Sequence, residues 1–438
     1  MTHRYRGPLA AVAAMNIALV VVACGDDDPA PIEPVLDSGA GDVAVADEDS
    51  AAPDVSDGGI RDATVDAAAP EIECSVTPCV LDIATAGNST CALLADGTVS
   101  CWGSNEHGQL GRGALDAGQD GHPAPATGLA NVTQLSGGVN GYCARKSDGS
   151  VACWGDNRVG QIGPLDDPSE LVDVPRIIAG LPKATAAFMG EELACAALEG
   201  GDATCWGKNT AGRLPTLHDA GEVPVGPTKI DLGGRQIAAI APGKSAVVAL
   251  TDDGELLSWG RRSRPVVWEV TGLGREVSLE LAMPAALPSP KGVMRLVGWG
   301  DGVAATAAGR AFRWGAVDFA DGPVLPTPVP VATTAAALWV SFGEGGQFCA
   351  VLGDKSVRCL GNNSYGQIGT GEYTNREIVA RKVEDLPAQP ARVVTSGYHA
   401  CAVLVTGEAL CWGNNMRGQL GSGDFALHPT PTPVRFSP

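Results

Sequence analysis

The chain has 438 residues, 18% of them charged and 5% aromatic, with a formal net charge of −20. Residues 25–73 account for −14 of this and residues 1–23 for +2, which leaves −8 for residues 74–438. A mildly acidic body with no sizeable Lys/Arg cluster excludes nucleic acid as the expected partner, because phosphate binding rests on clustered cations.

Residues 1–23 carry Arg4 and Arg6 and then an apolar run from Leu9 to Ala23 broken only by Asn16. That is too short to span a bilayer as a helix, which takes roughly 20 residues, and it reads as a signal peptide. Val21-Val22-Ala23-Cys24 resembles the lipobox of bacterial lipoproteins, which implies cleavage before Cys24, lipidation of its thiol and a membrane anchor there. Residues 25–73 hold fifteen acidic residues against Arg61 alone. Low hydrophobicity with like charge does not offset the entropy of ordering, so 24–73 reads as a lipidated cysteine followed by a disordered acidic tether.

The body, 74–438, is built from one unit, seen first as Cys91–Gly111, CALLADGTVSCWGSNEHGQLG. CALL and TVSC are β-forming runs around Ala95-Asp96-Gly97, and a three-residue hairpin loop needs a left-handed residue that Gly97 supplies without a Cβ penalty. That register sets Leu93 opposite Val99 and Cys91 opposite Cys101, within disulfide range. Trp102 then points to the other face, where it can fill the space between neighbouring sheets. Asn105-x-x-Gly108-Gln109-Leu110-Gly111 reads as a tight turn.

Aligned on Trp-Gly, the unit occurs seven times, at Trp102, Trp154, Trp206, Trp259, Trp314, Leu360 and Trp412, with a mean period of about 52 residues. Cysteines ten apart recur in step as Cys143/Cys153, Cys195/Cys205, Cys349/Cys359 and Cys401/Cys411, while copies four and five carry Val248/Ser258 and Val303/Arg313 there. The hairpin glycine recurs as Gly149, Gly201, Gly254, Gly309 and Gly407, with Lys355 in copy six. Cys74 with Cys79 and a lipidated Cys24 account for the remaining three of thirteen cysteines, and paired cysteines on this scale require an oxidising compartment.

The pattern C-A-L-x-x-D-G-x-V-x-C-W-G-x-N-x-x-G-Q-L-G resembles the repeat of the regulator-of-chromosome-condensation family. The resemblance covers roughly residues 80–438 and implies an all-β fold, a seven-bladed β-propeller of four-stranded antiparallel blades. Copies four and five lose the turn motif, so their blades are the least defined. The first copy lacks a leading Pro-Val strand and the chain ends with a spare one, Pro431–Val434, which is expected to complete the first blade and close the ring.

Chemical motifs are few. Cysteines ten apart across a hairpin do not suit zinc, and neither a Gly-x-Ser-x-Gly elbow, a phosphate-binding glycine loop nor a His-Glu-x-x-His occurs. His107 and His399 show no nucleophile or carboxylate partner in sequence. The loop Asp116–His122 is too poor in carboxylates for a dedicated calcium site, and Arg261-Arg262-Ser263-Arg264 reads as a solvated turn.

No cofactor is expected, and no catalytic role. The variable segments after the turn motif, near 112–125, 164–176, 213–228 and 370–382, would emerge on one side of the disc. The expected function is an exported, lipid-anchored, monomeric binding module that presents one face to a protein or envelope polysaccharide. Two alternatives are a hydrolase or lyase with its site at the central channel, and an enzyme inhibitor similar to the propeller inhibitors of β-lactamase. The nucleotide-exchange activity of eukaryotic members is not carried over, since an exported protein does not meet small GTPases.

Overall fold

The computed structural model describes residues 69–436 apart from 114–117, 164–170, 210–211, 215–223, 262–279, 287–289, 291, 301 and 317–323. The expected signal peptide, Cys24 and most of the tether lie outside the described residues, as do Arg262, Ser263 and Arg264. Among the described residues no helix is long and apolar enough to cross a membrane.

Strands β1 (Val80–Ala86), β2 (Ser89–Leu94), β3 (Val99–Ser104) and β4 (Gln119–Pro125) form one antiparallel sheet in that order. The CALL/TVSC hairpin supplies the two middle strands, buried along their whole length. Such strands read as continuous apolar runs because both faces are covered by neighbouring sheets. Leu93 lies opposite Val99 and Cys91 opposite Cys101. The loop closes by hydrogen bonds from Leu94 N–H to the Thr98 carbonyl and from Gly97 N–H to the Leu94 carbonyl, both 2.9 Å, with Gly97 at φ +79°.

The same four-strand order recurs over 132–177, 184–230, 237–286, 293–331, 337–382 and 390–433, giving seven blades among the described residues. Blades four and five, with their degenerate sequences, are four-stranded like the rest. The fourth strand of each blade is the outer one, and it concentrates proline: Pro123 and Pro125 in β4, Pro429, Pro431 and Pro433 in the last strand. Proline cannot donate to a ladder, so an exposed edge is where a sheet accepts it.

This strand phase corrects two expectations. The Pro-Val segment is the last strand of its own blade rather than the leading strand of the next. The C-terminal strand, His428–Pro433, pairs with Ala409–Gly413 in the seventh blade (Leu410 opposite Pro433, Cys411 opposite Thr432), and it does not complete the first. Each blade is therefore one contiguous segment, and the ring closes by packing and hydrogen bonds between blades one and seven, among them Val80 N–H to Gly407 O at 2.9 Å. Ile83, Leu94 and Trp102 of blade one share a buried cluster with Val403, Cys411 and Leu420 of blade seven, and Val434 and Phe436 cover it. Phe436 meets the Trp102 ring edge-on, with centroids 5.9 Å apart.

A third correction concerns copy five. Val303 does not face Arg313: Ala304 does, because Ala307 pairs with Arg310 across a two-residue turn, Ala308-Gly309, with φ +47° and +70°. A two-residue turn with both central residues left-handed shortens the loop by one and slips the register. In blade four Val248 does face Ser258.

Candidate functional site at the propeller axis

The repeat motif locks adjacent blades together. Within the turn, Asn105 Oδ1 accepts from Leu110 N–H (3.0 Å) and Gln109 Oε1 from His107 N–H (2.8 Å). The Asn bond to the Leu/Ile amide recurs at Asn157, Asn209, Asn363 and Asn415. The carbonyl of the motif's fifth residue is thereby aimed at the next blade. Trp154 Nε1 donates to Gln109 O, Trp206 to Gln161 O, Trp259 to Arg213 O, Trp412 to Gln367 O and, across the closure, Trp102 to Gln419 O, at 2.7–3.0 Å. These five indoles are fully buried, and Trp314 is 4% exposed. The final glycine of the motif makes room for the ring: a Cβ on Gly421 would lie 2.8 Å from Trp102 Nε1.

The hairpins beneath carry the cysteines. Cys91–Cys101, Cys143–Cys153, Cys195–Cys205, Cys349–Cys359 and Cys401–Cys411 are bonded with Cα atoms 4.0–4.1 Å apart, and Cys74–Cys79 with 5.6 Å. Glycine holds the left-handed hairpin position at Gly149, Gly201, Gly254 and Gly407, and Lys355 takes it in blade six at φ +68°.

The innermost strands, β1, β5 (Val132–Gly137), β9 (Ala184–Met189), β13 (Ile237–Pro242), β17 (Val293–Trp299), β21 (Ala337–Gly343) and β25 (Pro390–Thr395), have no ladder partner on their axial side among the described residues. Each has a register break after its first residue. The third residues around the ring are Asp82, Gln134, Ala186, Ala239, Arg295, Trp339 and Arg392. The first six line a cavity of about 450 Å³ on the axis, together with Ser136, Phe188, Met189, Ser341 and Phe342.

Side chains in this ring stitch neighbouring strands where backbone ladders are missing. Gln134 holds Ala187 through both its amide oxygen and nitrogen (2.8 and 2.9 Å). Ser136 and Ser341 accept from Met189 N–H and Thr395 N–H (2.9 Å each). Trp339 Nε1 donates to Val393 O (2.9 Å) and Arg295 Nε to Val340 O (3.2 Å).

One arc of the ring is charged. Arg295 Cζ stands 3.1 Å from the Trp339 ring centroid and Arg392 Cζ 4.4 Å, so the indole of blade six is shared by guanidinium groups from blades five and seven. Arg392 also donates to Pro70 O (3.1 Å), where the described chain approaches the ring. Asp82 of blade one accepts from Ile83 N–H (2.9 Å), and neither arginine lies within 4.0 Å of its carboxylate. Burial raises the Asp82 carboxyl above its ordinary value despite the Ile83 amide and the two arginines. Burial also lowers Arg295 to about 9, with Arg392 acting in the same direction, and the guanidinium keeps its charge at neutral pH. These groups retain some accessible surface toward the cavity while protein surrounds them, so their fields are poorly screened.

His399 is fully buried at the closure, between Thr90 Oγ1 of blade one and Ser396 Oγ, both 2.8 Å away. In the loop weighed for calcium, Asp120 is engaged by Arg112 (2.6 Å) and His122 N–H (2.9 Å). No group of three or more His, Cys, Asp or Glu suited to a metal occurs among the described residues. The axial residues Asp82, Arg295, Trp339 and Arg392 were not singled out from sequence. Their one signal is periodic: each is the third residue of an inner strand, nine or ten residues before the first cysteine of the hairpin or, in copy five, Ala304.

Comparisons with known proteins follow this architecture. The profile of the regulator of chromosome condensation (RCC1) repeat matches residues 80–109, 132–161 and 391–419, and a second profile of that repeat matches 96–144 and 406–438. The chain is 27% identical to the ultraviolet-B receptor UVR8 of Arabidopsis thaliana over 79% of each chain. It is 28% identical to the human E3 ubiquitin-protein ligase HERC2 over 77% of this chain but 7% of that protein. Among solved structures it is similar to Prp20p of Saccharomyces cerevisiae, at a TM-score of 0.65 and 19% identity over 83% of this chain and 87% of that one. It is likewise similar to human WBSCR16, at 0.64 and 19% over 76% and 88%. Residues 80–161 and 391–438 thus match the RCC1 repeat, and the seven four-stranded blades close a propeller like those of the similar structures.

Proposed function

We propose that this chain is a non-catalytic binding module, exported, held at the cell envelope through lipid on Cys24, and presenting the propeller to a protein or envelope polysaccharide. The observation that carries the reading is the scaffold: a ring of short blades locked by Trp-to-turn hydrogen bonds and six disulfides. A rigid scaffold that spends no residues on a catalytic constellation in its repeats leaves its loops free for recognition. Six disulfides suit a chain that folds in an oxidising compartment. Prp20p, of the same fold, is described by its binding to Gsp1p and histones, which supports binding as the use of this architecture.

The test has two parts. Peptide mapping without reduction, on protein from the native host, should find an N-terminal peptide beginning at acylated Cys24. The full chain used as bait on host envelope proteins and on a glycan array should then capture a partner. An intact Met1, or turnover of a substrate in place of capture, would sink the proposal.

A second reading is favoured by one observation. Titratable residues from blades one, five and seven converge on the axis, as a channel enzyme requires, and the raised Asp82 carboxyl suits a proton donor. It lacks a second carboxylate among the described residues lining the cavity.

A further inference from the structure

We propose that the axial cavity is a binding site for a hydroxylated carboxylate, the acid group of a uronic acid sugar. This deepens the polysaccharide branch of the binding-module reading and rests on it.

Three observations point to this ligand class. First, Arg295 is fixed by stacking on Trp339 and by its Nε bond to Val340 O, and its terminal N–H groups have no hydrogen-bond partner among the described residues. A planar guanidinium with two free, parallel donors and a locked orientation matches a carboxylate. Second, the arc holds two guanidinium groups against the one carboxylate of Asp82, so its formal charge is matched by a monoanion. A phosphate dianion would place its second charge against Asp82. The Asp82 Oδ2 atom, also without a partner, can accept from a sugar hydroxyl. Third, opposite the charged arc the ring carries Gln134, whose amide is engaged by Ala187, and the small Ala186 and Ala239, which leave space, and Phe188 offers an apolar wall to the C–H face of a pyranose. The volume, about 450 Å³, lies within the usual range for small-ligand pockets.

The experiment is calorimetric titration of the full chain with galacturonate and, separately, with galactose, which has the same ring shape without the acid. Galacturonate should bind at least ten-fold more tightly. Arg295→Gln should abolish that preference and Arg295→Lys, which keeps charge but loses the fork, should give an intermediate loss. Should Arg295→Gln fail to fold, Arg392→Gln removes the second cation without altering the cavity wall, and a three-fold or larger loss is expected. Equal binding of galactose, unchanged affinity in both arginine variants, or no binding of galacturonate by the native chain overturns the proposal. Such a failure leaves the module reading standing, since capture of a protein or of a neutral glycan tests that separately.

Discussion

Acid should open this ring at its seam, and His399 sets the pH at which it does. Thr90 Oγ1 donates to Gln419 O (2.9 Å), so it must accept from His399, which places the proton on Nε2. Nδ1 is then the acceptor for Ser396 O–H at 2.8 Å. A second proton on the ring would oppose that hydroxyl and charge a group with no accessible surface. Burial accordingly lowers His399 to about 3, against about 6.5 in an unfolded chain.

The folded value is depressed, so the unfolded chain binds the extra proton between these limits. Stability is complete above about pH 6.5 and falls by about 1.4 kcal/mol per pH unit as the pH drops toward 3. From 6.5 to 5 the loss is about 2 kcal/mol, in a window where Asp96, Asp148, Asp156 and Asp354, all held below the ordinary carboxylate value by their partners, stay charged. Urea unfolding without reductant, at pH 7, 6 and 5, measures it. His399→Gln keeps one of the two hydrogen bonds and should be less stable than the native chain at pH 7 by about 1 kcal/mol. By pH 5 the order should be reversed. Parallel stability curves for the two proteins would refute the reasoning.

Other consequences follow from the repeat. Cys91→Val with Cys101→Ser gives blade one the pair that blade four already carries, and by loop entropy it should cost about 3 kcal/mol in chemical denaturation without changing the fold. Gly421→Ala places a Cβ 2.8 Å from Trp102 Nε1, so it should lose about 1–3 kcal/mol more than Gly128→Ala, which has a similar positive φ but nothing within 4 Å. Lys355→Gly should raise the stability of the sixth hairpin by about 1 kcal/mol, read as a shift in the thermal midpoint, because the native residue sits at φ +68°.

Much of this architecture is legible because short hairpins fix their own register. The three-residue loop at Gly97 decides which side chains oppose one another, and the Trp-Gly period counts the blades. Strand phase is harder, because the local pattern does not say whether Pro431–Val434 begins a blade or ends one. The prolines themselves hold the answer, since only an outer edge tolerates three of them in six residues. The slip in blade five went unseen because Ala308-Gly309 lacks the Asn-Gly or Asp-Gly signature of a two-residue turn. The axial arc left no local trace at all. Asp82, Arg295, Trp339 and Arg392 lie in four different repeats, and only ring closure makes them neighbours.

The distribution of sequence loss around the ring follows only in part from how the blades interlock. An indole in one blade uses the turn carbonyl of the blade before it where the motif is present. Copies four and five both lack the turn motif; the blade after copy five carries Leu360 in place of tryptophan, whereas the blade after copy four keeps Trp314. Leucine fills part of the same buried space, at 3% exposure, without a donor that would need that carbonyl. Blade six also has the one hairpin turned by lysine, so its hold on the ring rests more on the inner strand, where Trp339 bonds to Val393 and receives both guanidinium groups. Repeat fidelity falls furthest in blades four and five, which lack both the cysteine pair and the turn motif, yet blade four places Ala239 at the axis and blade five Arg295, while blade six keeps pair and motif and places Trp339 there. The residue an inner strand presents to the axis therefore does not track the fidelity of the strands behind it, which makes the axis the part of this propeller least explained by the repeat alone.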